Sequence, residues 1–238
     1  MKQRTLVAFY EEKNHLLSDL IHLLWQELEA SALKDYFIPY ALDQIHTTFI
    51  GLEKIPNFPV PFNLNIWEKE GKKQQMVFSG LKTTLEDFFP INVQFGGFDK
   101  KYATVKSFGK TLFERSFQIQ WSTGRVVLIG WPIDQNQDVV MDLFGLRQAM
   151  YLRHNILHKY HDDNDCYLVL GILKIQEDLG KISALKKAGA ELEDKVQQWL
   201  SRNRTTIPIA LEDLSIVEYL DPSLELSSSK VWSVGSFR

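Results

Sequence analysis

LDQIHTTFIGLE, residues 42–53, sets a histidine and a threonine two residues apart at the head of an apolar run. Successive side chains of a β-strand point to opposite faces, so His46 and Thr48 share one face while Ile45 and Thr47 take the other. A strand that only filled a core would carry Val or Ile at the first two positions. What lies on either side of this stretch gives it a place in a larger pattern.

Upstream, RTLVAFYEE (4–12) reads as a strand, and HLLSDLIHLLWQELEA repeats Leu16, Leu17, Leu20, Ile21, Leu24 and Leu28 at helical steps. Strand, helix and motif strand make one β-α-β unit. EKIPNFPVPFNLN (53–65) holds three of the eight prolines and reads as a loop. QQMVFSGLKTTLEDFF reads as a helix weakened by Gly80. INVQFGGF (91–98), SFQIQW (116–121) and GRVVLIGW (124–131) read as strands, the last two joined as a hairpin. VVMDLFGLRQAMYLRHNILHKY is a second amphipathic helix, CYLVLGIL (166–173) a buried strand, and LGKISALKKAGAELEDKVQQWLSRN a long charged helix. IPIALEDLSIVEYL supplies one further strand and SSSKVWSVGS a final edge strand. The order strand, helix, motif strand therefore occurs twice, with motif strands around 45–52 and 166–173. The repeat predicts an α+β fold over residues 1–238: two pseudo-symmetric lobes, each a small, mostly antiparallel sheet with helices outside, and a cleft between them.

Composition narrows the function classes. The chain has 238 residues, 45% hydrophobic, enough for an extensive core. With 27 basic against 30 acidic residues the net charge is −3, which argues against coating long nucleic acid by counterion release. A pocket for a nucleotide or a short RNA end remains compatible. The single cysteine, Cys166, excludes an internal disulfide, fits a reducing cytoplasm and reads as a small core residue. No run approaches ~20 apolar residues, so no membrane span is expected. The amino-terminal residues lack the apolar region and cleavage site of a secretory signal. A cytoplasmic monomer is the expected state.

The stretch IHTTFIGL, preceded by its strand and helix, resembles in order and spacing the first half of the 2H phosphoesterase superfamily, which includes RNA 2′,3′-cyclic phosphodiesterases once called 2′-5′ RNA ligases. GRVVLIGWP, the following helix and CYLVLGIL resemble the second half, so the likeness in element order covers nearly the whole chain. The resemblance implies catalytic roles for His46 and Thr48 of the first His-x-Thr motif, and hydrolysis of cyclic phosphate or 2′-5′ phosphodiester bonds without a cofactor. At the second motif Tyr167 stands where the family's second histidine belongs, and Val169 where its Thr or Ser belongs.

That departure bears directly on the chemistry. Opening a cyclic phosphate takes a base for the attacking water and an acid for the departing ribose oxygen, each contributing ~10²–10⁴ in rate. A phenol with a reference pKa of about 10 is a poor base at neutral pH, and valine offers the phosphate no hydroxyl. His161, in the loop before the second motif, is a candidate replacement acid or base. Three readings stay open: a phosphodiesterase with impaired or altered catalysis, a non-catalytic module binding a nucleotide, RNA or protein in the old cleft, and an interaction protein whose cleft has filled. His154 and His158 stand four residues apart, a metal-ligand spacing on a helix, but a solvated helix end is the favoured reading and no metal site is expected. There is no phosphate loop, dinucleotide fingerprint or CxxC.

Overall fold

The computed structural model describes residues 2–174 and 180–234. In chain order the elements are β1 (Gln3–Ala8), α1 (His15–Glu29), β2 (Phe37–Pro39), β3 (Thr47–Gly51), α2 (Leu64–Glu70), α3 (Leu81–Glu86) and β4 (Ile91–Phe95). They continue with β5 (Lys106–Ser107), β6 (Lys110–Thr111), α4 (Leu112–Arg115), β7 (Phe117–Gln120), β8 (Arg125–Pro132) and α5 (Asp142–His154). The last are β9 (Cys166–Leu173), α6 (Ile182–Arg202), β10 (Thr205–Ile209), β11 (Leu214–Tyr219) and β12 (Lys230–Ser233).

Among the described residues the two expected sheets are one. Ten strands join in the order β10-β4-β8-β9-β3-β1-β11-β12, with β2 on β9 and β7 on β8, and β5-β6 forms a separate small hairpin. All pairs are antiparallel. The halves join along β9, which pairs with β2 over Phe37–Pro39 and with β3, the other motif strand, where Thr47 meets Leu168. Outward from this junction the order is the same in both directions at first: β3 then β1, and β9 then β8.

The long helices α1, α5 and α6 lie on one face because their apolar stripes need a common partner. Leu17, Leu20, Ile21, Leu24 and Leu28 of α1, Leu143, Leu146 and Met150 of α5, and Leu185, Leu192 and Val196 of α6 share a core with Leu6, Phe49, Leu128, Leu168 and Leu170 of the sheet. The other face carries two smaller clusters. Val127, Ile129 and Trp131 pack under Phe98 and Tyr102, and Val7 and Val217 under Tyr10 and Leu224. The face of β9 and β3 lies between these two, in the middle of the sheet.

Several boundaries differ from expectation for local reasons. The helix read over QQMVFSGLKTTLEDFF shrinks to α3, because Gly80 adopts φ +76° and the preceding chain is extended, with the Val77 N–H on the His154 carbonyl. IPIALEDLSIVEYL is two strands, broken at Leu211–Asp213 where the Asp213 carboxylate accepts the Ala210 N–H. Its halves then run to different parts of the sheet, β10 to β4 and β11 to β1. The loop read over 53–65 ends in α2, capped by the Asn63 side chain accepting the Ile66 N–H. The hairpin of β7 and β8 forms as read, with Gly124 at φ +72° where a Cβ would meet the Leu173 carbonyl oxygen at 2.6 Å. The edge strand is β12, on β11. Leu179, the first residue read into the long charged helix, and Gly235 and Ser236, the last read into the edge strand, lie outside the described residues.

Candidate functional site

The Thr47–Leu168 pair fixes what faces what. Both side chains are fully buried, Leu168 in the helix-side core, and the Thr47 hydroxyl oxygen accepts the Tyr167 N–H at 3.1 Å. Alternation then turns His46 and Thr48, and likewise Tyr167 and Val169, to the opposite face, where all four are half-buried. Continuing the antiparallel register one step each way sets Thr48 across from Tyr167 and His46 across from Val169. Direct cross-strand neighbours have Cβ atoms about 4.5–5.5 Å apart. The four residues named from the sequence therefore meet on one face. Val7 beside Thr48 flanks them on one side, and Ile129 and Val127 beside Tyr167 and Val169 on the other.

The imidazole of His46 has a determined tautomer. Its Nδ1 lies 2.8 Å from the Gln44 carbonyl oxygen, which can only accept, so Nδ1 carries the proton and Nε2 keeps a lone pair. The ring meets the edge of Tyr10 at 5.9 Å and 79°. Burial pushes its pKa down to about 4; the Gln44 bond opposes that shift and the Lys13 charge adds to it. Lys13 is itself lowered to about 8 by burial. Tyr10 and Lys13 arrive through a turn in which Phe9 and Glu11 hold φ +64° and +63°, conformations that non-glycine residues adopt at a cost. The chain after β11 crosses this end of the face, with the Tyr10 hydroxyl on the Leu224 carbonyl and the Gln44 amide on that of Ser223, both at 2.7 Å.

A neutral buried histidine makes folding pH-dependent, with a definite sign. The unfolded chain takes up a proton at His46 near its ordinary pKa of about 6.5, and the native state does so only near 4. The stability contributed by the neutral ring is thus present above pH 6.5 and lost as pH falls toward 4. His158, also held well below its usual value by burial, acts in the same sense, whereas Asp165, pushed up to about 7, acts in the opposite one. Comparing wild type with His46→Gln isolates the first. The stability difference between them should fall by about 3 kcal/mol between pH 7 and pH 4, measured by urea unfolding. An unchanged difference would mean that His46 titrates in the native state as it does in the unfolded chain.

Across the junction, the Tyr167 hydroxyl donates to the Gln120 side-chain oxygen at 2.8 Å, with the Arg125 charge acting on it from nearby. Burial raises its pKa, so the phenol keeps its proton at neutral pH. Val169 packs against the cluster of Val127 and Ile129. The face therefore offers one neutral imidazole, one threonine hydroxyl, one phenol, one amide and one guanidinium. It can bind an anionic ester, and it holds one imidazole where acid–base cleavage uses two.

His161 is not brought to this face. Its ring bonds the Lys69 ammonium at 2.8 Å and pairs with Asp162 at 3.1 Å, and its carbonyl accepts from Gln148 of α5. The loop that carries it runs past the Gly51 end of β3, where the His158 Nδ1 accepts the Gly51 N–H at 3.0 Å. At about 3.3 Å per residue that end lies about 16 Å of strand from His46. The acidic neighbours of His161 are taken up in a buried network. Arg115 bonds Asp163 at 3.3 Å and Asp165 at 2.8 Å and also donates to the Ser107 hydroxyl. Arg147 donates to the carbonyls of Phe49, Asp163 and Asp165. His154 and His158 do not share a helix face, because α5 ends at His154 with Asn155 at φ +54°. His154 is held between the Val77 carbonyl and the Thr84 hydroxyl. Among the described residues no group of three or more His, Cys, Asp or Glu is placed to hold a metal ion. Cys166 is fully buried, its thiol pushed up to about 12 by burial.

Sequence reasoning missed Tyr10, Lys13, Gln120 and Arg125. Arg125 was legible, since it alternates with Val127 and Ile129 and so shares their face. Tyr10 and Lys13 were not, because nothing in AFYEEK marks two left-handed residues.

No protein-family model matches the chain, and no curated protein matches it by sequence. Its fold is similar to the crystal structure of a conserved protein of unknown function from Agrobacterium tumefaciens str. C58, with a TM-score of 0.46 and 10% identity, covering 92% of this chain and 81% of that one. Among the described residues no helix is long and apolar enough to cross a membrane.

Proposed function

We propose that this chain is a 2H phosphoesterase-like protein that binds a nucleotide or RNA end carrying a cyclic or 2′-linked phosphate, with hydrolysis lost or strongly reduced. In this reading the two strand–helix–strand units are pseudo-symmetric lobes whose motif strands have come into contact. The observation that carries it is the Thr47–Leu168 register, which sets His46 and Thr48 beside Tyr167 and Val169 on one face. Binding is supported by the Thr48 hydroxyl and by Arg125, whose charge suits a phosphate. Weak turnover follows from the second position, where a protonated phenol replaces an imidazole and a methyl replaces a hydroxyl. A nearly permanently neutral His46 serves as hydrogen-bond acceptor and, at best, as a feeble base.

The test is calorimetric titration with a 2′,3′-cyclic mononucleotide, alongside product analysis by mass spectrometry. Expected are saturable binding weakened by Arg125→Ala and turnover near background. Robust hydrolysis that disappears in His46→Ala would overturn the claim of lost catalysis. Absence of both binding and hydrolysis would overturn the reading altogether.

A further inference from the structure

The β5-β6 hairpin presents a second surface, apart from His46, whose residues point to a ligand of their own. Phe108, at its tip, is 65% exposed and Tyr160, in the loop before β9, 52% exposed. Their rings meet edge to face, with centroids 6.4 Å apart at 84°. Each carries a cation: the Arg115 guanidinium 4.7 Å from the Phe108 centroid, and the Lys159 ammonium 5.5 Å from that of Tyr160, which also meets the His158 ring at 6.2 Å. Exposed Lys106 and Lys110 flank the tip. The charge is local: residues 100–115 hold five basic residues against one acidic in a chain of net charge −3. That one acid, Glu114, has its carboxylate on Thr111.

The presentation is also held in place. Phe108 adopts φ +47°, a strained conformation for an aromatic residue that persists only where the surroundings fix it. Here the preceding Ser107 is buried and donates to Asp163 at 2.9 Å, and Arg115 binds both Ser107 and Asp163. A buried ionic network thus anchors the hairpin whose tip leaves a large aromatic side chain in water. Two exposed aromatic rings among lysines are the features that hold single-stranded nucleic acid: bases stack on aromatic side chains and phosphates pair with the ammonium groups. A protein partner matched only to the apolar tip would gain nothing from three lysines around it.

We propose that Phe108 and Tyr160, with Lys106, Lys110 and Lys159, bind a short single-stranded RNA segment by base stacking and phosphate pairing. This goes beyond the reading of the His46 face and does not depend on it. The test is fluorescence anisotropy of the full chain with labelled twelve-nucleotide oligouridylate, oligothymidylate and a duplex of equal length. The single strands should bind and the duplex bind at least tenfold more weakly, since stacked bases offer no face. Equal affinity for the two single strands would place the contacts on bases and phosphates alone, and a preference for RNA would add the 2′-hydroxyl. Three phosphate contacts predict that log affinity falls against log salt with a slope of about −2, and Lys106→Gln with Lys110→Gln should flatten it. Phe108→Ala should weaken binding about tenfold with unchanged melting temperature and unchanged cyclic mononucleotide binding. Absence of single-strand binding, or binding indifferent to both Phe108→Ala and Tyr160→Ala, would overturn the proposal. His46→Ala should leave this binding intact, so failure of either surface is read separately from the other.

Discussion

Replacing Tyr167 by His together with Val169 by Thr is expected to raise hydrolysis of a 2′,3′-cyclic nucleotide by about 10²–10⁴-fold, the usual contribution of one general acid or base. The expectation follows from register. Tyr167 lies across from Thr48 and Val169 across from His46, so the double variant would set two His-x-Thr pairs side by side, each imidazole opposite the other strand's hydroxyl. The backbone already occupies these positions, and both side chains are half-buried on the shared face. Tyr167→His alone should give the smaller part of the gain, because Val169 still offers the phosphate nothing. His46→Ala in the double variant should return the rate to background, which ties the gain to the pair. A double variant that folds, binds the nucleotide and stays inert would show that the depressed His46 pKa, about 4, is the stronger obstacle. A stable fold is expected, because the replaced phenol is only half-buried and loses one hydrogen bond, to Gln120, and part of its packing on the Val127 and Ile129 cluster.

What made this site legible is period-two alternation in two short apolar strands, which states where a side chain points without knowledge of the partner strand. That sufficed to group His46, Thr48, Tyr167 and Val169. It did not show that the sheets would fuse, because fusion depends on β2 and β3 both approaching β9 within pairing distance, a property of global packing. The residues between 98 and 115 resisted reading for another reason. Their elements are two to four residues long, below the length at which periodicity carries information, and they are ordered from beneath by Arg115 and Asp163. The split of IPIALEDLSIVEYL was hidden because its apolar residues are nearly continuous. The end of α5 was more accessible, since asparagine is the residue that most often replaces glycine in the left-handed cap, and Asn155 sits there.

Removing Arg115 is expected to be the most damaging single side-chain deletion at the buried network, with a loss of about 3–5 kcal/mol for Arg115→Ala. Asp163 and Asp165 are both buried, each acts on the other's charge, and Arg115 is the side-chain cation bonded to both. Arg147 lies nearby but spends its donors on backbone carbonyls. Without Arg115 two carboxyls remain in a low-dielectric site, and they can avoid two charges only by keeping a proton between them. The Asp165 carboxyl is already raised to about 7, by burial first and then by the Asp163 charge, and loss of the guanidinium raises it further. A carboxyl whose native pKa exceeds its unfolded value of about 3.9 binds protons more tightly when folded, so acidification through that interval favours the native state. The deficit of Arg115→Ala against wild type should therefore be largest at pH 8 and shrink toward pH 5, a trend that a simple loss of packing would not produce. At neutral pH the melting temperature should drop by roughly 10 °C for a chain of this size. Arg115→Lys should recover part of the loss, since one ammonium cannot reach Ser107, Asp163 and Asp165 at once. Because Ser107 would lose its anchor, oligouridylate binding at Phe108 should weaken in Arg115→Ala even where the protein remains folded. An unchanged melting temperature and a flat pH dependence would mean that water enters the site and solvates the two carboxylates.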